Sequence, residues 1–306
     1  MKVLVATEKP FAPVAIQGIS DVVKQNGDEL ALLEKYTEKQ QLLDAVKDAD
    51  ALIVRSDIVD AEVLAAAAQL KIVVRAGAGY DNIDLKAASE KGIVVMNTPG
   101  QNSNAVAELV FGLLLFAVRS QFNGKTGTEL KGKTIGLMAF GAVAQNVARI
   151  ATGFGMEVVA YSPTNHPEKI SKAGFRVAKT AEELFEQCDI VSLHIPANAQ
   201  TKESINYALL SRMKKGAILV NTARKEVINE ADLKKVLEER EDLKYYSDLK
   251  VSDHEGFVGT FGMRYFAPPK KMGAQTSEAN INAGIAAARQ IEAFLKTGDT
   301  TFQVNK

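Results

Sequence analysis

Lys133-Thr134-Ile135-Gly136-Leu137-Met138-Ala139-Phe140-Gly141-Ala142-Val143-Ala144-Gln145 reads as a short apolar strand, a turn of small residues and the start of an amphipathic helix. That succession is the setting in which G-x-G-x-x-G binds dinucleotide phosphates. Here the pattern is Ala139-x-Gly141-x-x-Ala144. Gly141 is the position where a missing side chain lets backbone approach a pyrophosphate, and Ala142 and Val143 open the helix behind it. Ala144 still permits close helix–strand packing. Ala139 must fit a tight turn that glycine fits better. The helix N-terminus offers unpaired N–H groups and a positive dipole end to phosphate. By itself the motif is balanced between a dinucleotide site and a turn that only packs.

The next strand, Glu157-Val158-Val159-Ala160-Tyr161, bears on the cofactor. A NAD site usually ends this strand with Asp or Glu, which accepts from both ribose hydroxyls. Ser162 stands there and carries no charge. His166 or Lys169 would attract a 2′-phosphate, so NADP stays open beside NAD.

The same strand type recurs along the chain. Val3-Leu4-Val5-Ala6, Ala51-Leu52-Ile53-Val54, Ile72-Val73-Val74 and Ile93-Val94-Val95-Met96 lie in the first part. Ile190-Val191-Ser192-Leu193 and Ala217-Ile218-Leu219-Val220 lie in the second. These runs are continuously apolar rather than alternating, which marks strands buried on both faces, hence parallel strands covered by helices. Helical spacing runs from Val14 to Gln25, ending at Asn26-Gly27, from Asn102 to about Arg119, and from Thr276 to about Lys296. Asn97-Thr98-Pro99-Gly100 is turn-rich and marks a seam between lobes. Val251 to Met272 reads as a long irregular segment of the kind that is functional or disordered.

Composition narrows the function. The chain has 306 residues, with Lys+Arg 37 balancing Asp+Glu 37. At roughly 150 residues per domain, two domains are expected. The neutral balance argues against nucleic-acid and membrane-surface partners. One cysteine, Cys188, excludes an internal disulfide framework, and three scattered histidines argue against a metal site. The apolar run from Leu109 to Val118 is too short for a bilayer, which takes about 20 residues. The expectation is a soluble, cytoplasmic protein.

Three further stretches carry a family resemblance. Val220-Asn221-Thr222-Ala223-Arg224-Lys225-Glu226-Val227-Ile228 and Cys188-Asp189-Ile190-Val191-Ser192-Leu193-His194-Ile195-Pro196 resemble two signatures of the D-isomer-specific 2-hydroxyacid dehydrogenases. Arg75-Ala76-Gly77-Ala78-Gly79-Tyr80-Asp81-Asn82-Ile83-Asp84 resembles their substrate loop, as does Asn102 before Ala107-Glu108. Within the family, Ile53-Val54-Arg55-Ser56 and Arg75 to Gly79 resemble the short phosphoglycerate dehydrogenase branch, which lacks a regulatory domain. The resemblance implies an α/β fold of two doubly wound, parallel-sheet (Rossmann-like) lobes flanking a cleft. Residues 1–98, completed by 277–306, would be a flavodoxin-like substrate domain, and 99–276 the dinucleotide-binding domain. It also implies NAD, a small-molecule substrate, a homodimer joined across the helix near 102–119, and no feedback inhibition through a regulatory domain.

The implied reaction is hydride transfer from D-3-phosphoglycerate to NAD, giving 3-phosphohydroxypyruvate for serine biosynthesis. Arg224 binds the carboxylate with its planar fork and polarises the C2 oxygen. The family's catalytic histidine position, anchored on Gly273-Ala274, is Lys271 here. A lysine serves as base only if its pKa falls from about 10.4 toward the working pH. Asp253, with Glu255 as rival, stands where the family has a supporting carboxylate. His254 between them is a weaker rival base, more in keeping with a solvated surface residue. Arg55, Ser56, Arg75 and Asn102 suit the distal phosphate, the alternative for the two arginines being pairing with Asp57 or Asp81. Gly77, Ala78 and Gly79 offer N–H groups to the carboxylate. His194, Ile195, Pro196, Thr201, Thr222, Ala223, Asp248, Gly273 and Ala274 are placed beside the dinucleotide. A hydroxypyruvate or glyoxylate reductase, or a non-catalytic NAD-responsive binding protein on the same fold, are the competing readings.

Overall fold

The computed structural model describes residues 1–163 and 167–306. The chain divides into two compact units, Met1–Asn102 with Ala274–Lys306, and Ser103–Gly273. In the first unit, β1 (Lys2–Thr7), β2 (Glu29–Glu34), β3 (Ala51–Val54), β4 (Ile72–Arg75) and β5 (Val94–Asn97) form a sheet in the order β2-β1-β3-β4-β5. In the second, β6 (Thr134–Met138), β7 (Glu157–Tyr161), β8 (Arg176–Val177), β9 (Ile190–Leu193), β10 (Ile218–Asn221), β11 (Lys244–Ser247) and β12 (Tyr265–Phe266) order as β12-β11-β10-β9-β6-β7-β8. Each strand pair is parallel. Both orders reverse once, beside β1 and beside β6, which is the doubly wound topology. Ligands of such sheets bind outside the carboxyl ends of the strands at the reversal.

The continuously apolar runs are the central strands. All residues of β3, β9 and β10 are buried. A strand covered on both faces gains burial from every side chain, at about 25 cal/mol per Å² of apolar surface. Exposure follows position in the sheet: edge strand β2 has no buried residue, and its Glu-Leu-Ala-Leu-Leu-Glu sequence carries no strand signature. The Ser277–Thr297 helix packs its Ala283, Ala287, Ala288 and Ile291 against the first sheet's Val3, Val5, Ile53 and Val74.

The segment expected to be irregular is largely ordered. It contains a helix, His254–Phe261, a short 3-10 turn, and β12. Asp253 caps the helix, and Gly262 ends it in a left-handed conformation at φ 53°. β12 exists because Tyr265 and Phe266 pair with Tyr245 and Tyr246 of β11. That partner is remote in sequence, so no local pattern announces it. Among the described residues, no helix is long and apolar enough to cross a membrane.

Candidate active site

In the second unit the turn between β6 and the Ala142–Gly153 helix has the conformation a phosphate loop needs. Ala139 takes φ 81°, the left-handed region that glycine adopts freely. Its N–H donates to Tyr161 O at 2.7 Å, which holds the turn against β7. Gly141 is the N-cap of the helix, and no side chain caps it. A Cβ built on Gly141 would meet nothing within 4 Å, so open space lies where a pyrophosphate would approach. Ala142 is exposed and Val143 half-buried beside that space. Gly136 has another reason to be glycine, since its Cβ would lie 2.8 Å from Cys188 Sγ. Burial pushes the Cys188 thiol up to about 12, so it is an inert packing group.

The carboxyl ends of β9 and β10 carry buried polar atoms with no hydrogen-bond partner: Ser192 Oγ, His194 Nε2 and Thr222 Oγ1. Burial pushes His194 down to about 3, so its ring is neutral and Nε2 is free to accept or donate by tautomer. Buried polar atoms without partners are costly and need an explanation. Together with the uncapped helix and the space over Gly141, they fit a bound dinucleotide. Ile195 is buried and Pro196 exposed. Thr201 Oγ1 donates to Pro196 O at 2.5 Å and so closes the 194–201 loop. Ser162 is buried at the end of β7 and Lys169 is exposed on the Pro167–Lys172 helix. His166 lies outside the described residues.

Arg224 follows β10 and is exposed. Its neighbour Asn221, fully buried, donates from Nδ2 to Arg224 O at 2.9 Å and accepts at Oδ1 from Ala223 N–H at 2.9 Å. Asp248, also buried, accepts at Oδ1 from Met272 N–H at 2.8 Å and at Oδ2 from Gly273 N–H at 2.9 Å. Lys271, immediately before them, is exposed. Asn221 was not among the candidates, although an amide before an arginine at a strand end was a usable signal.

Asp253 accepts from Gly256 N–H at 3.2 Å and lies 3.6 Å from Lys234 Nζ, so its carboxylate caps a helix and pairs a surface lysine. Glu255 is exposed on the same helix. His254 is not the solvated loop residue expected: it is half-buried, with Nδ1 2.9 Å from Tyr265 Oη.

In the first unit, β3 and β4 place Arg55 and Arg75 side by side. Arg75 Nε donates to Arg55 O at 2.9 Å. Its guanidinium lies over Gly77, whose missing Cβ makes room for it; an added one would fall on Arg75 Nη1. Gly77 has φ 149°, and Thr98 N–H donates to Gly77 O at 3.0 Å. The Arg55 guanidinium donates to Lys9 O, Pro10 O and Asn280 Oδ1, and lies 5.1 Å from the Phe11 ring centroid. All these partners are neutral. Asp57, considered as its counter-ion, instead accepts from Glu8 N–H, Tyr36 Oη and the Arg55 backbone N–H. Ser56 is exposed, Ala78 O accepts from Asn97 Nδ2 at 2.6 Å, and Gly79 and Asn102 are half-buried. Gly273 closes the second unit and Ala274 opens the returning segment of the first.

Comparison with known proteins agrees with this geometry. The profile of the D-isomer specific 2-hydroxyacid dehydrogenase family, NAD binding domain, matches residues 116–257. A hydroxypyruvate reductase of Thermotoga maritima is 41% identical over 222 residues, covering 68% of this chain and 71% of that protein. A D-3-phosphoglycerate dehydrogenase of Methanocaldococcus jannaschii is 34% identical over 88% of this chain, which spans only 56% of that longer protein. The structure of a NAD+-bound 3-phosphoglycerate dehydrogenase from Entamoeba histolytica superposes with a TM-score of 0.87, at 46% identity, covering 100% of this chain and 99% of the other.

Proposed function

We propose that this chain, which belongs to the D-isomer specific 2-hydroxyacid dehydrogenase family, oxidises D-3-phosphoglycerate to 3-phosphohydroxypyruvate. Bound NAD would supply the acceptor for the hydride of C2. Arg224 holds the carboxylate bidentately and draws electron density from the C2 oxygen. Lys271, in its neutral form, takes the hydroxyl proton. Arg55, Ser56, Arg75 and Asn102 hold the distal phosphate, and Gly77, Ala78 and Gly79 offer backbone N–H groups. The reading assigns dinucleotide binding to 99–276 and substrate recognition to 1–98 with 277–306. A homodimer and a place in serine biosynthesis, in the cytoplasm, belong to the same proposal.

The observation that carries the phosphorylated substrate is Arg55. A half-buried guanidinium whose hydrogen-bond partners are all neutral has its charge offset only through space, by Asp57. Such a charge favours a dianion. The 41% identity to a hydroxypyruvate reductase supports a second reading, the reduction of an unphosphorylated 2-keto acid. Absorbance at the reduced-nicotinamide band separates them. With D-3-phosphoglycerate and NAD at alkaline pH, the band should grow; Arg224→Ala should abolish it, and Arg55→Ala should slow it at low D-3-phosphoglycerate by raising KM. Equal activity of Arg55→Ala, or activity with hydroxypyruvate alone, would replace the first reading with the second.

A further inference from the structure

The second unit links the backbone at Arg224 to the backbone just after Lys271 through hydrogen bonds relayed by Asn221 and Asp248. The relay begins at Arg224, whose carbonyl accepts from Asn221 Nδ2 at 2.9 Å. The Asn221 carbonyl in turn accepts from Asp248 N–H at 3.0 Å, and from Ser247 Oγ at 3.0 Å. The Asp248 carboxylate then takes the N–H groups of Met272 and Gly273, one on each oxygen. Those two amides directly follow Lys271. Every link apart from the exposed ends is buried: Asn221 and Ser247 are wholly inaccessible and Asp248 is 1% exposed.

We propose that Asp248 is a positioning residue, a two-oxygen clamp on the backbone after Lys271 that, joined to Asn221 through the β10–β11 pairing, sets the position of Lys271 relative to Arg224. This rests on the reading of Arg224 and Lys271 as the reacting pair. The residue types fit the task. Here each of two adjacent N–H donors meets its own oxygen, and a carboxylate offers two such oxygens where a carboxamide offers one. The loop that carries Lys271 belongs to no strand or helix. The fit is tight, because a Cβ on Gly273 would lie 2.8 Å from Asp248 Oδ2. Glycine at 273 is therefore part of the clamp, and the clamp has two sides from which it can be opened. The competing role for Asp248 is direct contact with the cofactor.

The test uses Asp248→Asn and Gly273→Ala in the full chain. The first replaces one acceptor by a donor facing an N–H group; the second leaves the carboxylate intact and pushes it away. Both should lower kcat by about 100-fold, the order expected when a reacting group is displaced by about 1 Å. Because both residues also lie beside the expected dinucleotide, the Kd for NAD should change, but by several-fold less than kcat. Amide hydrogen exchange of the peptide containing Met272 and Gly273 should accelerate about tenfold or more, without added cofactor. A role confined to stability would lower Tm and leave kcat per folded molecule unchanged, which overturns the proposal. Weaker NAD binding by about tenfold with unchanged exchange also overturns it and gives Asp248 to the cofactor. If Asp248→Asn does not fold, Gly273→Ala carries the same readouts. If the unaltered protein turns over neither phosphoglycerate nor hydroxypyruvate, the reading of the reacting pair fails, and exchange alone then decides whether the clamp exists.

Discussion

The carboxyl ends of the two sheets solve opposite problems. In the second unit, β9 and β10 end in buried polar atoms that find no protein partner: Ser192 Oγ, His194 Nε2 and Thr222 Oγ1. In the first unit, β3 ends in groups that are almost fully engaged, Asp57 by three donors and Arg55 by three acceptors. What the first unit holds ready is a cation whose bonded acceptors are neutral, its charge met only through space by Asp57. One edge therefore keeps hydrogen-bonding capacity in reserve, and the other keeps an electrostatic field. Unspent hydrogen bonds suit a ligand with many polar atoms and a defined outline, such as a dinucleotide. A held cation suits a compact anion, because its orientation is settled before the anion arrives.

The contrast can be broken most severely at the chemistry. Lys271→Ala should reduce kcat by about 10²- to 10⁴-fold, the usual contribution of general acid–base catalysis, with the Kd for NAD unchanged. In the unaltered protein the rate should climb on the alkaline side, because only a neutral amine accepts the proton. Turnover near wild type in the variant would remove Lys271 from the reaction.

A smaller effect should separate the edges themselves. Gly141→Val fills space that is open in the chain alone. It should weaken NAD binding by about 10- to 100-fold while Tm stays within about one degree, the cost being one lost close approach to phosphate. A loss of Tm equal to that of a core substitution would mean the turn only packs. At the other edge, Arg55→Ala should raise the KM for D-3-phosphoglycerate by about 10- to 100-fold, as expected for lost charge-assisted hydrogen bonds, and leave that for hydroxypyruvate nearly unchanged. Equal effects on both substrates would mean the held charge does not read phosphate.

The weakest tests concern stability. Glu292, on the Ser277–Thr297 helix, has both carboxylate oxygens buried without partners. Burial, with Asp28 nearby, raises its pKa to about 7, against Lys296 and the amino terminus. A raised carboxyl pKa gives stability that is complete below the ordinary value of 4.5 and is lost as pH rises through about 7. Glu292→Gln should therefore raise Tm at pH 8 by about 2–4 °C, with the gain shrinking toward pH 4.5. A constant difference across that range would refute the titration. Ala139→Gly should relieve the left-handed alanine, a strain of about 1–2 kcal/mol, less glycine's greater unfolded-state entropy. The net gain, read from urea unfolding, should be about 0.5–1 kcal/mol. No gain would mean the turn relaxes around alanine without cost.

The legible parts of this protein share a short range. Strands β1, β3, β4, β9 and β10 announce themselves as runs of consecutive apolar residues, and Ala139-x-Gly141 announces its turn within a few positions. The Val251–Met272 stretch did not, because β12 is made by pairing with β11 rather than by its own residues. Asp253, spaced from Asp248 as in the family pattern, also takes Gly256 N–H and lies 3.6 Å from Lys234 Nζ, and its lysine neighbour comes from a segment remote in sequence. His254 looked like a surface residue until Tyr265 closed over it. Arg55 was a plausible ion-pair partner of Asp57 by proximity in sequence. Its side chain instead reaches Asn280, 225 residues away.

By itself, the sequence determined the class of sheet and the place of the small-residue turn after β6. These follow from covalent neighbours, through backbone preference and side-chain burial over a few residues. Only the tertiary structure decided which polar groups are spent and which remain. Asp248 meets Met272 and Gly273 across 24 and 25 residues, and Arg55 finds its acceptors at Lys9, Pro10 and the distant Asn280. Hydrogen-bond satisfaction is a property of what folding brings within about 3 Å, and no local pattern encodes it.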